Sequence, residues 1–92
     1  MYKIKYLPIA QKDLWNITEY ILDNLKSPKA AMDFIDTFDK SILRLKKYPY
    51  SCKLYRPQES LEAEYRFLPV KNYLVFFIVI ENIIEIHRII SL

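Results

Sequence analysis

Between Lys71-Asn72 and Glu81-Asn82 the chain reads Tyr73-Leu74-Val75-Phe76-Phe77-Ile78-Val79-Ile80, an apolar run rich in β-branched and aromatic residues. A run of this length bounded by turn residues predicts a strand covered on at least part of both faces, and so the central strand of a sheet. Residues 64–70 read as a strand before it, joined through a tight turn at Lys71-Asn72. Residues Ile83 to Ile90 read as the last strand, joined through Glu81-Asn82.

The first half of the chain has different periods. Tyr2, Ile4 and Tyr6 alternate with Lys3 and Lys5, the pattern of a half-buried strand. Pro8 ends that strand or opens a helix. Ala10, Leu14, Ile17, Ile21 and Leu25 then recur at helical spacing. Ser27-Pro28 pairs an N-cap residue with proline at the first helical position. Ala31, Phe34, Ile35, Phe38, Ile42 and Leu45 form a second stripe of period 3.6, which Pro49 stops. Two long helices joined by two or three residues predict an antiparallel hairpin. The predicted order is β-α-α-β-β-β, an α+β domain with the helices on one face of a mostly antiparallel sheet.

Length and composition set the bounds. The 92 residues predict one domain over 1–92. The chain is 52% hydrophobic and 15% aromatic, too apolar for a disordered segment. It contains no glycine, so its turns are expected to use Asn, Asp, Pro or Ser. The same absence excludes a phosphate-binding P-loop, a GxGxxG fingerprint and a GxSxG nucleophile elbow. Cys52 is the single cysteine, which rules out an internal disulfide and predicts a reducing, cytoplasmic compartment. The N-terminus has no long apolar stretch of the secretory kind, and the longest apolar run is far short of a membrane span.

Net charge is +3, and its placement is informative. Lys40, Arg44, Lys46, Lys47, Lys53 and Arg56 follow one another without an intervening acid, with Tyr48, Tyr50 and Tyr55 among them. Cations interleaved with aromatics suit a phosphate backbone with stackable bases. The plainer reading is a solvated helix end, with Lys46 and Lys47 complementing the helix dipole.

Few residues suggest catalysis. One His and one Cys make a zinc site improbable, and no metal or cofactor is expected. A Cys52–His87 nucleophile pair is conceivable, but a lone cysteine after a proline loop is more often inert. Arg88 shares strand parity with Ile84, Ile86 and Ile90 and is expected on the core or concave face of the sheet. An arginine there needs a partner, either an acid such as Glu64 or a bound phosphate or acidic group. Arg66 shares parity with Glu64, Leu68 and Val70 and poses the same choice. His87 shares parity with Glu85 and is expected to face outward.

The stretch Glu64-Tyr65-Arg66-Phe67-Leu68-Pro69-Val70-Lys71-Asn72-Tyr73-Leu74-Val75-Phe76-Phe77 resembles a characteristic segment of the RelE/ParE toxin superfamily. Ile84-Glu85-Ile86-His87-Arg88-Ile89-Ile90 resembles the closing strand of those toxins. Leu45-Lys46-Lys47-Tyr48-Pro49 resembles the end of their second helix, and Ala30-Ala31 with Phe34-Ile35 its start. The resemblance spans nearly the whole chain in order, and the long helical hairpin is closer to the ParE side.

The resemblance implies the β-α-α-β-β-β fold and the toxin role in a type II toxin–antitoxin (plasmid stabilisation) system. It implies growth inhibition, and neutralisation by a cognate antitoxin whose acidic segment folds on binding. The target is either mRNA on the ribosome, cleaved by a metal-independent endoribonuclease, or DNA gyrase. No membrane is involved, and the chain is expected as a homodimer or a hetero-oligomer with its antitoxin. Arg66 matches an arginine that stabilises phosphate in ribonuclease members. Arg88 and His87 are the further catalytic candidates. Arg44, Lys46, Lys47, Lys53, Arg56 and Lys71 are the candidate nucleic-acid or partner surface. Many relatives carry further acid/base and basic groups after the closing strand, where this chain has Ser91-Leu92. The alternative reading is therefore an inactive or attenuated toxin-fold protein acting only as a binding module.

Overall fold

A computed structural model describes residues 1–57 and 63–92. The elements are β1 (Lys3–Tyr6), α1 (Pro8–Asn24), α2 (Pro28–Lys47), a 3-10 turn (Pro49–Ser51), β2 (Lys53–Leu54), β3 (Arg66–Val70), β4 (Tyr73–Ile80) and β5 (Ile83–Ser91). The sheet order is β1-β5-β4-β3-β2, with β4 in the middle. Among the described residues only the β1–β5 pair is parallel. The two-residue β2 is the one strand the sequence pattern does not announce, because two residues carry no readable period.

Local chemistry accounts for the helix boundaries. The Ala30 amide donates to the Ser27 hydroxyl at 3.1 Å, the N-cap expected of Ser27-Pro28. At the other end of α2 the Tyr48 amide donates back to the Arg44 carbonyl, and Pro49 cannot continue the ladder. Arg44, Lys46 and Lys47 lie in the last turn, where the helix dipole favours cations. Leu25 departs from the predicted stripe. Helix α1 stops at Asn24, Leu25 caps it and is exposed, and Lys26 takes a left-handed φ of 50°.

The two hairpin turns fall where predicted but use different chemistry. Lys71 (φ 53°) and Glu81 (φ 55°) supply the left-handed backbone, while Asn72 and Asn82 do not. A glycine-free chain must set ordinary side chains in this region, at a cost of roughly 1 kcal/mol each.

The core lies between α2, the inner side of α1 and one face of the sheet. Phe34, Phe38, Ile42 and Leu45 pack with Leu68, Val70, Val75, Phe77, Ile84, Ile86 and Ile89. Phe34 also meets Tyr73 edge-to-face, with centroids 5.4 Å apart. Ala10 and Ile21 bring α1 into the same cluster. The opposite face of the sheet is left open by the helices.

The pairing of β5 corrects the expected placement of Arg88. Phe76 pairs with Arg88 and Phe77 with Ile86, so His87 is an extra residue, a β-bulge. One inserted residue reverses strand parity. Ile84 and Ile86 face the core before the bulge, and Ile89 does so after it. Arg88 and Ile90 are turned to the open face, and Ile90 is exposed.

Truncating a fully buried ring in this core removes both transfer energy and packing. Phe77→Ala is expected to cost about 3–5 kcal/mol in urea denaturation. Leu25→Ala, at a position the helical stripe marks as core, is expected to change stability by no more than about 0.5 kcal/mol.

Candidate functional site

The bulge places two consecutive side chains on one side of the sheet. His87 and Arg88 both line an open-face groove of about 360 Å³ with Leu7, Ile9, Tyr55, Tyr65, Phe76 and Ile90. Its walls are largely apolar and aromatic. Tyr55 meets Phe76 edge-to-face at 5.3 Å, and Tyr65 meets His87 in the same way at 5.2 Å.

His87 is the polar centre of this groove, and both its ring nitrogens are engaged. Nε2 lies 2.8 Å from Glu85 Oε1, and Nδ1 lies 3.0 Å from the Tyr65 hydroxyl. In the tautomer with its proton on Nε2, the ring donates to the Glu85 carboxylate and Nδ1 accepts from the Tyr65 hydroxyl. Lys5 Nζ lies 3.8 Å from the other Glu85 oxygen. His87 is on the face away from the helices, as its parity with Glu85 predicts, but it is not the open surface residue expected: it lines the groove, with 19% of its side chain exposed. Proton transfer at Nδ1 requires Tyr65 to move aside or to take part.

Arg88 is held in a different way. Its Nε and a terminal nitrogen donate to the two Asp13 oxygens at 2.7 and 3.2 Å, a bidentate pair. The Ile89 amide donates to the same carboxylate at 3.0 Å. Strand β1 covers β5 only as far as Ile86, so Asp13 from α1 supplies the acceptor that a neighbouring strand would have given. Pairing with an acid is one of the two states expected for Arg88; the acid is Asp13 rather than Glu64, which is exposed.

Arg66 is on the other face. It pairs with buried Phe77 across β3–β4 and shares parity with Leu68 and Val70, as predicted. Its guanidinium donates to the Cys52 carbonyl at 2.8 Å and lies 4.9 Å from the centroid of the Tyr50 ring. The sheet therefore separates Arg66 from His87 and Arg88. Cys52 packs against the core beside Arg66, and burial pushes its thiol up despite the nearby cations. It is not an activated nucleophile, and the nitrogens of His87 are bound elsewhere.

The predicted basic surface divides. Arg44, Lys47, Lys53 and Arg56 are exposed. Lys46 is half-buried, with its carbonyl accepting from the Tyr2 amide. Lys71 lies in the β3–β4 turn, at the end of β3 opposite Arg66, about 17 Å away by strand geometry. Sequence reasoning missed Asp13, Glu85 and Tyr65. No sequence signal marks Asp13, since its partners lie 75 and 76 residues away. Glu85 could have been found, because it is two residues from His87 on one strand.

Among the described residues, no group of three or more His, Cys, Asp or Glu side chains could hold a metal ion. Among them, no helix is long and apolar enough to cross a membrane.

The strand and helix order, the helical hairpin and the five-stranded sheet are those of a RelE/ParE-type toxin fold. The family model for the "ParE toxin of type II toxin-antitoxin system, parDE" matches residues 4–91, and the chain belongs to that family. A solved structure titled "Chromosomal ParDE TA system from P. aeruginosa" is similar in fold, with a TM-score of 0.78 and 21% identity. The match covers 100% of this chain and 97% of that one. No curated protein sequence matches.

The Asp13 carboxyl titrates below its ordinary 3.8. Burial pushes it up, but hydrogen bonds from Arg88 and the Ile89 amide and the Arg88 charge outweigh burial. A lowered folded-state pKa stabilises the fold above the unfolded value and loses that stabilisation as pH falls through the lowered one. Asp13→Asn is therefore expected to unfold at lower urea than the parent at neutral pH. The gap is expected to narrow progressively below about pH 5. A gap that stays constant with pH contradicts the role assigned to Asp13.

Proposed function

We propose that the protein is the toxin of a type II toxin–antitoxin pair, that it arrests growth by binding DNA gyrase, and that a cognate antitoxin neutralises it. Family membership carries the toxin and antitoxin parts of this reading. The choice of binding over RNA cleavage rests on one observation, the separation of Arg66 from His87 by the sheet.

Ribonuclease chemistry needs a cation at the reacting phosphate and an acid/base within hydrogen-bond reach of the same atoms. Here the cation nearest His87 in sequence, Arg88, is bidentate to Asp13. Arg66 is anchored to the Cys52 carbonyl and Tyr50 on the far side. Antitoxin binding fits the open face, where a largely apolar and aromatic groove offers cover for the apolar side of an amphipathic segment.

A second reading has a specific observation in its favour. The Glu85–His87–Tyr65 chain lies in a groove with Tyr55 and Phe76, an arrangement able to move a proton beside a stacked base. In this alternative His87 serves mRNA cleavage without Arg66.

Inducible expression with parallel readouts separates the two. Growth arrest with intact mRNA and impaired supercoiling is expected, and co-expression of the neighbouring small gene should relieve it. Arg66→Ala is expected to keep toxicity, whereas an arginine stabilising a transition-state phosphate would cost about 10²–10³-fold in cleavage. Cleaved mRNA that becomes intact in His87→Ala would transfer the assignment to the ribonuclease reading. Unchanged supercoiling by purified gyrase would remove the gyrase target.

A further inference from the structure

We propose that the segment from Arg44 to Arg56 is a binding track for single-stranded nucleic acid, running from the end of α2 around the β2 edge of the sheet. The proposal concerns a ligand class and goes beyond the toxin reading, since it holds whichever enzyme is the target.

The first support is charge. The segment carries cations throughout and no acid. The ion pairs among the described residues are Lys5–Glu85, His87–Glu85 and Arg88–Asp13, all on other parts of the surface. Complementing the α2 dipole accounts for Arg44, Lys46 and Lys47. It does not account for Lys53 and Arg56, which lie beyond the helix.

The second support is the exposure of three phenol rings among those cations. Tyr48, Tyr50 and Tyr55 are 63%, 58% and 44% exposed. They are not loose. Tyr50 is held by the Arg66 guanidinium at 4.9 Å and by the edge of Tyr2 at 6.3 Å. Tyr55 is held edge-to-face by Phe76, and its amide donates to the Tyr65 carbonyl at 2.7 Å. Lys53 pairs with Phe67 across β2–β3, on the same side of the sheet as Tyr55. Tyr48 borders a hollow of about 550 Å³ with Met1, Leu43, Arg44 and Lys47, an apolar wall with two cations at its mouth.

Rings fixed by neighbours and still open to solvent are platforms on which bases stack at little ordering cost. Interleaved cations suit the phosphates between those bases. A double helix keeps its bases stacked on each other, so the rings specify an unpaired strand.

Fluorescence anisotropy of the folded full chain tests this with labelled oligothymidylate and oligouridylate of about twelve nucleotides. Labelled oligoglutamate forms the acidic-protein arm. The oligonucleotides are expected to bind, with affinity falling as salt rises. Arg44→Glu and Lys47→Glu should flatten the log–log salt slope by about 0.7 for each phosphate no longer neutralised. Tyr48→Ala and Tyr55→Ala should each lower affinity about 5- to 100-fold while leaving the slope unchanged. Lys71→Ala, at the far end of β3, should bind as the parent does. Circular dichroism confirms that each variant is folded. Equal binding of oligoglutamate, full affinity in both tyrosine variants, or no oligonucleotide binding at low salt overturns the proposal.

Discussion

The open half of β5 is the constraint on which the rest of the site depends. Strand β1 pairs with β5 only from Ile83 to Ile86, and β5 runs on to Ser91. Its outward amide at Ile89 would be left unsatisfied without the Asp13 carboxylate, which also takes the Arg88 guanidinium. One side chain thus joins helix α1 to the sheet, completes the strand edge and fixes an arginine. The bulge at His87 lies immediately before this clamp and turns Arg88 toward it.

The chemistry of the open face follows from that geometry. Because His87 is the inserted residue, it projects into the groove beside Tyr65 and above Glu85, in place of a regular cross-strand position. Because Arg88 is clamped, it contributes shape and a compensated charge. Arg66 is committed to the other face, where it holds Tyr50 and the Cys52 carbonyl. Arg66 and His87 thus lie on different faces of the sheet, and Arg88, which shares the face of His87, has its charge compensated by Asp13.

Much of the architecture was legible from local pattern. The eight-residue run of β4, the hairpin turns on either side, the Ser27 cap and the α2 stripe each appear where periodicity and capping chemistry place them. These features are local, and their energetics are set by residues a few positions apart. The exceptions are informative. Leu25 continues the α1 spacing but falls after the last helical residue, and the turns use left-handed Lys71 and Glu81 rather than their asparagines.

The amino-acid sequence by itself determined the element order, the buried face of each helix and the family to which the chain belongs, because each depends on short-range period or on a pattern spread along the whole chain. The tertiary structure alone decided the orientation of Arg88, the partners of His87 and the face of the sheet that bears each cation. Strand parity predicts a side only while no residue is inserted, and an insertion is set by what lies beside the strand. Here that neighbour is Asp13, 75 residues from Arg88 in the chain, and only the fold brings the two together.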